Sequence, residues 1–210
     1  MDTATIDREF LARPGLDVAP GLLGCVLRHT TPEGTVAVRL TEVEAYQGSD
    51  DPGSHAYRGR TARNAVMFGP AGHLYVYFTY GMHFCANVVC DADGTATAVL
   101  LRGGEVIEGA ALAASRRASA KAPREYARGP ARLTSALGLG RPDNGADLCS
   151  SGSPTQLLPG APVPAGSVRT GPRVGVSGPG GDGGAFPWRF WLDGEPTVSP
   201  YRPHVPKRRK

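Results

Sequence analysis

Two carboxylates stand two residues apart, beside a tyrosine, in the segment Thr41-Glu42-Val43-Glu44-Ala45-Tyr46. A carboxylate flanked by apolar and aromatic groups can hold a water molecule and take its proton. The segment alternates like a strand, which predicts Val36, Val38, Leu40, Glu42, Glu44 and Tyr46 on one face and Ala37, Thr41, Val43 and Ala45 on the other. A face that turns from aliphatic to carboxylate to aromatic suits a strand leaving a core for a cleft. Taken alone, a strand glutamate is more often a solvated charge. Glu44 rises above that expectation because the next loop carries His55, Arg58, Arg60 and Arg63.

A metal reading of the loop would use Asp50, Asp51 and His55, with Glu44 as a further ligand. The spacing fits no standard ligand pattern and no second histidine is near, so no metal is expected. His55 suits the wall of a pocket better. Tyr75, Tyr77 and Tyr80 fall within six residues. They could be hairpin core, since tyrosine favours strands, or flat platforms on which bases stack. Tyr80 precedes Gly81 at the expected turn, where a bulky ring is better placed to wedge between base pairs than to fill a core. Arg102, followed by Gly103-Gly104, is read as a strand end able to meet a phosphate. No Walker loop, dinucleotide fingerprint or nucleophile triad is present, and no cofactor is expected.

The elements that must carry these residues form one α+β domain around an antiparallel sheet, without the alternation of a doubly wound fold. Short helices are expected at 6–13 and 16–24, strands at 25–30 and 36–46, and an irregular loop at 47–72. Leu74–Tyr80 and His83–Cys90 read as a hairpin with a three-residue loop of Tyr80, Gly81 and Met82. That loop pairs Thr79 with His83, Tyr77 with Cys85 and Tyr75 with Asn87 on one side of the sheet. Ala96–Arg102 is expected as a strand, Glu105–Ala120 and Pro130–Leu137 as helices, the second capped by Gly138. Residues 141–187 are expected to be mostly loop, and Trp188–Leu192 a late strand.

The 210 residues suit one domain, 1–206, followed by a basic tail, 207–210, expected to be disordered. The tail holds four bases and accounts for the net charge of +4. Residues 1–54 carry nine acids and four bases, whereas 55–132 carry ten bases and five acids. That asymmetry fits a basic face of the kind that follows a phosphate backbone, and equally a mixed, solvated surface. No apolar run approaches the roughly 20 residues of a membrane span. The polar, acidic start is unlike a secretory signal, so the cytoplasm, at the bacterial nucleoid, is expected. Cys25, Cys85, Cys90 and Cys149 form no C-x-x-C pair and are read as small buried hydrophobes.

Taken together, TEVEAY, SHAYRGRTARNAVMF, GHLYVYFTYGMHFCANVVC, AVLLR, GPARLTSALG, PRVGV and PWRFW resemble the alkyladenine (3-methyladenine) DNA glycosylase family, in order from about Phe10 to Ser199. The resemblance implies a single mixed domain with a curved antiparallel sheet and a protruding hairpin, and neither metal nor cofactor. It implies Glu44 as the general base that activates water, with Arg102 holding that water and a 3′ phosphate, and Val174 offering it a backbone carbonyl. Tyr46 and His55 are similar to the pair that sandwiches a flipped base against Tyr77. Tyr80 resembles the intercalating side chain, and Asn87 the residue that crowds the 2-amino group of guanine. The partner implied is duplex DNA bearing a damaged purine, attacked by water and bound by a monomer. The loop from His55 to Asn64 is one residue shorter than in mammalian members, and the glycine-rich 178–184 stretch differs.

Such an enzyme turns the nucleotide out of the stack, at a cost of a few kcal/mol that damage reduces. A Schiff-base mechanism would need an amine, and the only lysine before the tail is Lys121, outside the pocket block, so hydrolysis without strand cleavage is expected. A non-catalytic damage-binding module could use the same pocket, but it would have no need of Glu44. A metal-dependent nuclease is disfavoured by the ligand spacing.

Overall fold

The strand that carries both carboxylates is central to the protein. In the computed structural model, which describes residues 4–164 and 166–204, it runs Gly34–Gln47 as β2. Along one edge it pairs with β1 (Val26–Thr31) and then β8 (Arg189–Leu192), and along the other with β5 (Thr97–Glu108), always antiparallel. Beyond β5 lie β4 (His83–Cys90) and β3 (Leu74–Thr79); beyond β1 lies β6 (Thr155–Leu158), and β7 (Val168–Gly171) pairs with β8. The predicted tail, 207–210, lies outside the described residues.

One face of this eight-stranded sheet is covered by helices. Helix α2 (Gly15–Leu22) brings Val18 and Leu22, and α4 (Pro130–Leu137) brings Leu133, Ala136 and Leu137, onto Leu74, Val76, Val88, Val99 and Leu101. Shorter helices, α1 (Arg8–Leu11) and α3 (Ala110–Arg116), add Leu11 and Ala113. These apolar side chains form one core, and the chain is a single mixed α/β domain. On the opposite face, Tyr75, Val89 and Ala98 meet Ala56 and Met67 of the 47–72 loop in a second, smaller cluster. Alternation along β3, β4 and β5 therefore sends odd and even residues to different apolar partners. No helix among the described residues is long and apolar enough to cross a membrane.

The hairpin has the predicted register, with Thr79 opposite His83, Tyr77 opposite Cys85 and Tyr75 opposite Asn87. Helix α4 has the predicted bounds and its Gly138 cap. Two expectations are corrected. The strict alternation of β2 fails at Thr41, where the register against β5 shifts. Before it, Val36, Val38 and Leu40 enter the helix-covered core; after it, Val43 and Ala45 do. An extra residue turns every later side chain over, so Glu42, Glu44 and Tyr46 face away from the aliphatic side chains instead of sharing their face.

The second correction concerns Arg102, which is not at a strand end. Strand β5 continues through Gly103 and Gly104 to Glu108, over residues expected to be helical. The two glycines were read as a break, but they let β5 cross close to β2: a Cβ on Gly104 would collide with the Arg39 carbonyl. The strand stops at Gly109, whose φ of 73° no extended chain adopts, and α3 follows as a helix of seven residues.

One buried histidine ties this scaffold together. His29 on β1 places Nδ1 3.0 Å from the carbonyl of Leu137, at the end of α4, and Nε2 3.3 Å from an Asp143 carboxylate oxygen. Both partners can only accept, so both ring nitrogens must donate, and only the imidazolium does that. A cation is also favoured at a helix C-terminus. Burial and the nearby Arg116 oppose the charge, but Asp143 and the Leu137 carbonyl outweigh them and raise the pKa of His29. A raised folded pKa gives stability that is complete below the unfolded value, about 6.5, and lost as pH climbs through the folded one. The melting temperature should therefore fall with rising pH above about 6.5, and His29→Gln should flatten that slope. Equal slopes in the two proteins would rule out this role for His29.

Candidate active site

A row of four side chains crosses the sheet on the face away from the helices. Glu44 on β2 pairs with Leu100 on β5, Leu100 with Asn87 on β4, and Asn87 with Tyr75 on β3. Side chains paired across strands project to the same face. Above this row opens a cleft of about 500 Å³, lined by Tyr46, His55, Tyr77, Asn87, Leu100, Arg102 and Val174, with Tyr80 at its rim. All but one of the residues singled out for a pocket thus line one cavity. The exception is Glu44, which lies directly beneath it.

Glu44 has no exposed surface, and its three partners form the floor of the cleft. The Val174 N–H donates to one carboxylate oxygen at 2.7 Å. The Tyr46 hydroxyl donates to the other at 2.9 Å, and Arg102 Nη1 lies 3.2 Å from that same oxygen. Val174 thus touches Glu44 through its N–H. Burial acts against the charge of Arg102, but Glu44 and then Glu42 more than offset it, and its pKa rises above the usual guanidinium value. Beneath the floor of the cleft, then, lies a carboxylate held by donors from three segments.

The walls are aromatic. His55 meets Tyr77 edge-on with ring centres 4.5 Å apart, and its Nδ1 lies 3.2 Å from the Tyr75 hydroxyl. Partial burial, and then the charge of Arg63, lower the His55 pKa, which favours the neutral ring. Asn64 donates to the His55 carbonyl at 2.9 Å and to that of Gly59 at 3.0 Å, so the loop is held at the cleft by a buried amide. Tyr75 and Tyr77 stack at 5.4 Å, and burial raises the pKa of both phenols, so they stay neutral. Cys85, unpaired, completes the wall beside Tyr77.

Tyr80 stands at the hairpin tip, 81% exposed, with Met82 beside it at 69%. Its φ of 51° is left-handed, which a bulky residue rarely adopts. So exposed a ring contributes nothing to a core, and the core reading of Tyr80 fails. Arg58, Arg60 and Arg63 are exposed on the loop that carries His55, and Arg63 lies 5.6 Å over the Tyr77 ring.

Two buried arginines, Arg173 and Arg189, were not singled out from the sequence. Arg173 has no exposed side-chain surface and grips Asp51 with two bonds, at 2.5 and 2.7 Å. It also donates to the carbonyls of Ala45 and Gly180 and stacks 4.5 Å over the Tyr46 ring. Asp51, weighed above as a metal ligand, is the counter-ion of this arginine. Among the described residues no group of three His, Cys, Asp or Glu could hold a metal ion. Glu42 and Arg189 are likewise buried, 2.8 Å apart, behind Arg102. Both arginines lie in segments already singled out, PRVGV and PWRFW, but nothing local marks them as buried.

The profile described as methylpurine-DNA glycosylase (MPG) matches residues 9–196. A protein of Streptomyces avermitilis is 62% identical over 210 residues, covering 100% of this chain and 97% of its own. One of Leifsonia xyli is 58% identical over 202 residues, covering 94% and 92%. One of the archaeon Methanocella arvoryzae is 44% identical over 198 residues, covering 94% and 97%. All three are provisionally named as 3-methyladenine DNA glycosylases. With the match spanning nearly all of the sheet and every wall of the cleft, the chain belongs to the methylpurine-DNA glycosylase family.

Proposed function

We propose that the protein is a DNA glycosylase that receives a damaged purine nucleotide, turned out of duplex DNA, and hydrolyses its N-glycosidic bond. The observation that carries this reading is Glu44, a buried carboxylate at the base of a cleft walled by Tyr46, His55 and Tyr77. The cleft volume, about 500 Å³, lies within the range of about 300–1,000 Å³ typical of small-molecule sites. Flat walls stack on any purine, and a cationic methylated base gains about 0.5–2 kcal/mol more from the ring faces.

Scission builds positive charge on the sugar, which the carboxylate of Glu44 stabilises. The bond from C1′ to the purine nitrogen breaks, and its electron pair leaves with the base. Water forms the new bond to C1′ and gives its proton to Glu44. A cationic methylpurine leaves as a neutral molecule and needs no proton. Val174 and Tyr46 hold Glu44, while Arg102 and the Val174 carbonyl, as the resemblance implies, orient the water. Among the described residues the only lysine, Lys121, is exposed and does not line the cleft, which favours hydrolysis without strand cleavage.

A panel of duplexes, each with one lesion (3-methyladenine, 7-methylguanine, hypoxanthine or ethenoadenine), tests this reading by single-turnover release of free base. Release with the backbone intact until alkali treatment is the expected result. Tight lesion binding without release would make the protein a damage-binding module. Tyr80 gives a second check. If its ring fills the gap left in the stack, Tyr80→Ala should slow release from a well-paired lesion more than from a mismatched one, where extrusion is already easier. Equal losses on both, with a lowered melting temperature, would remove the wedge role.

A further inference from the structure

Glu42 never reaches the cleft, yet four hydrogen bonds hold it behind Arg102. It has no exposed surface and lies on the same face of β2 as Glu44, since the intervening Val43 enters the core. One of its oxygens accepts from Arg102 Nε, Arg189 Nε and the Ser199 hydroxyl, each at 2.8 Å. The other accepts from the Ser199 N–H at 2.7 Å. Arg189 also donates to the Ser199 carbonyl at 2.6 Å, which closes the group.

We infer that Glu42 is a positioning residue for base release: it fixes Arg102 in the orientation in which that guanidinium meets Glu44. The inference rests on the glycosylase reading with Glu44 as the base. Arg102 sits at a register shift, between the pairs Gly103–Glu42 and Leu101–Val43, and has no partner across the ladder. Sheet pairing therefore leaves its long side chain without a direction. Glu42 supplies one by holding Nε, which turns Nη1 toward Glu44 at 3.2 Å.

Stability does not account for this arrangement. Buried ion-pair groups are often replaced by apolar side chains of similar size at no cost. The charge balance gives a second reason. Glu42 and Glu44 face Arg102 and Arg189, two charges against two. Without Glu42, Arg102 would pair with Glu44 alone, and a base clasped by an undivided cation is a weaker base. Burial opposes ionisation of Glu42, but Arg102 and Arg189 hold its pKa below the usual carboxylate value, so it is charged at neutral pH.

The test compares Glu42→Gln, Arg102→Lys and the double variant with the wild type and with Glu44→Gln, by lesion-duplex binding and single-turnover release across pH. Glu42→Gln should bind near normally but release base about 10- to 100-fold more slowly, the scale of a misplaced catalytic group. The acid limb of its rate profile should move to lower pH, because one negative charge beside Glu44 is gone; a purely structural role would not move it. In the Arg102→Lys background the same change should cost nothing further. A folded Glu42→Gln protein with an unmoved profile and full rate would overturn the inference, as would a full additional loss in the lysine background. If Glu42→Gln does not fold, Ser199→Ala removes one bond from each of Glu42 and Arg102. A slower release then supports the inference and an unchanged rate overturns it. Glu44→Gln separates the two claims: activity there defeats the base assignment, whereas loss there with full activity in Glu42→Gln defeats only the positioning role.

Discussion

Glu44→Gln should leave lesion-DNA binding intact and slow base release by about 10²-fold or more, the usual contribution of a positioned acid–base group. Two losses combine in this variant. An amide cannot take the proton of the attacking water, and it carries no charge to stabilise the cationic sugar. The walls that bind the base, Tyr46, His55 and Tyr77, remain. A third effect follows from the contacts. Glu44 accepts from the Val174 N–H and the Tyr46 hydroxyl and faces Arg102, so all its partners are donors. A glutamine offers one oxygen and one NH₂, and the NH₂ must turn toward a donor. The variant should therefore melt somewhat lower, and the melting temperature must be read beside the rate. A near-wild-type single-turnover rate would end the assignment of Glu44 as the base.

The largest stability effect is expected at Arg173. Arg173→Met leaves Asp51 without its cation, in a site where neither side chain has any exposed surface. Removing one partner of a buried pair costs about 3–5 kcal/mol, because the remaining charge is left without compensation. The damage should extend to function, since Arg173 also holds the Ala45 and Gly180 carbonyls and precedes the Val174 N–H that binds Glu44. Arg173→Lys should recover only part of the loss: a single ammonium cannot make the paired bonds to Asp51 and stack on Tyr46 as well. Adding Asp51→Asn to Arg173→Met should restore some stability by removing the stranded charge. Urea denaturation measures all of these. A loss below about 1 kcal/mol in Arg173→Met would mean that Asp51 finds another partner or goes neutral.

Tyr80, at the tip, contrasts with both. Its substitution should alter the response to duplex pairing and leave the pocket intact, because its ring is exposed and away from the floor.

Much of this site was legible without coordinates, and the reason is local. The hairpin register follows from a three-residue turn and period-two alternation, so Tyr75, Tyr77, Cys85 and Asn87 could be placed on one side from the sequence. The bounds of α4 follow from Pro130 at its start and Gly138 at its end. Residue type and order were enough to single out Glu44, Tyr46, His55, Tyr80 and Arg102, and the family resemblance added Val174; the fold gathers all six around one cleft.

What sequence could not decide was anything set by a neighbour far along the chain. The shift at Thr41 depends on how β2 meets β5, and it reverses the face on which Glu42 and Glu44 lie. The continuation of β5 through Gly103 and Gly104 depends on the approach of Arg39. Asp51 was weighed only as a metal ligand and Arg173 was not singled out; the two are 122 residues apart, and Glu42 and Ser199 are 157 apart. Periodicity and turn chemistry act over a few residues, so they specify elements and name candidates. A buried charge is stable only once its counter-ions arrive from other segments, and that meeting exists only in the packed structure.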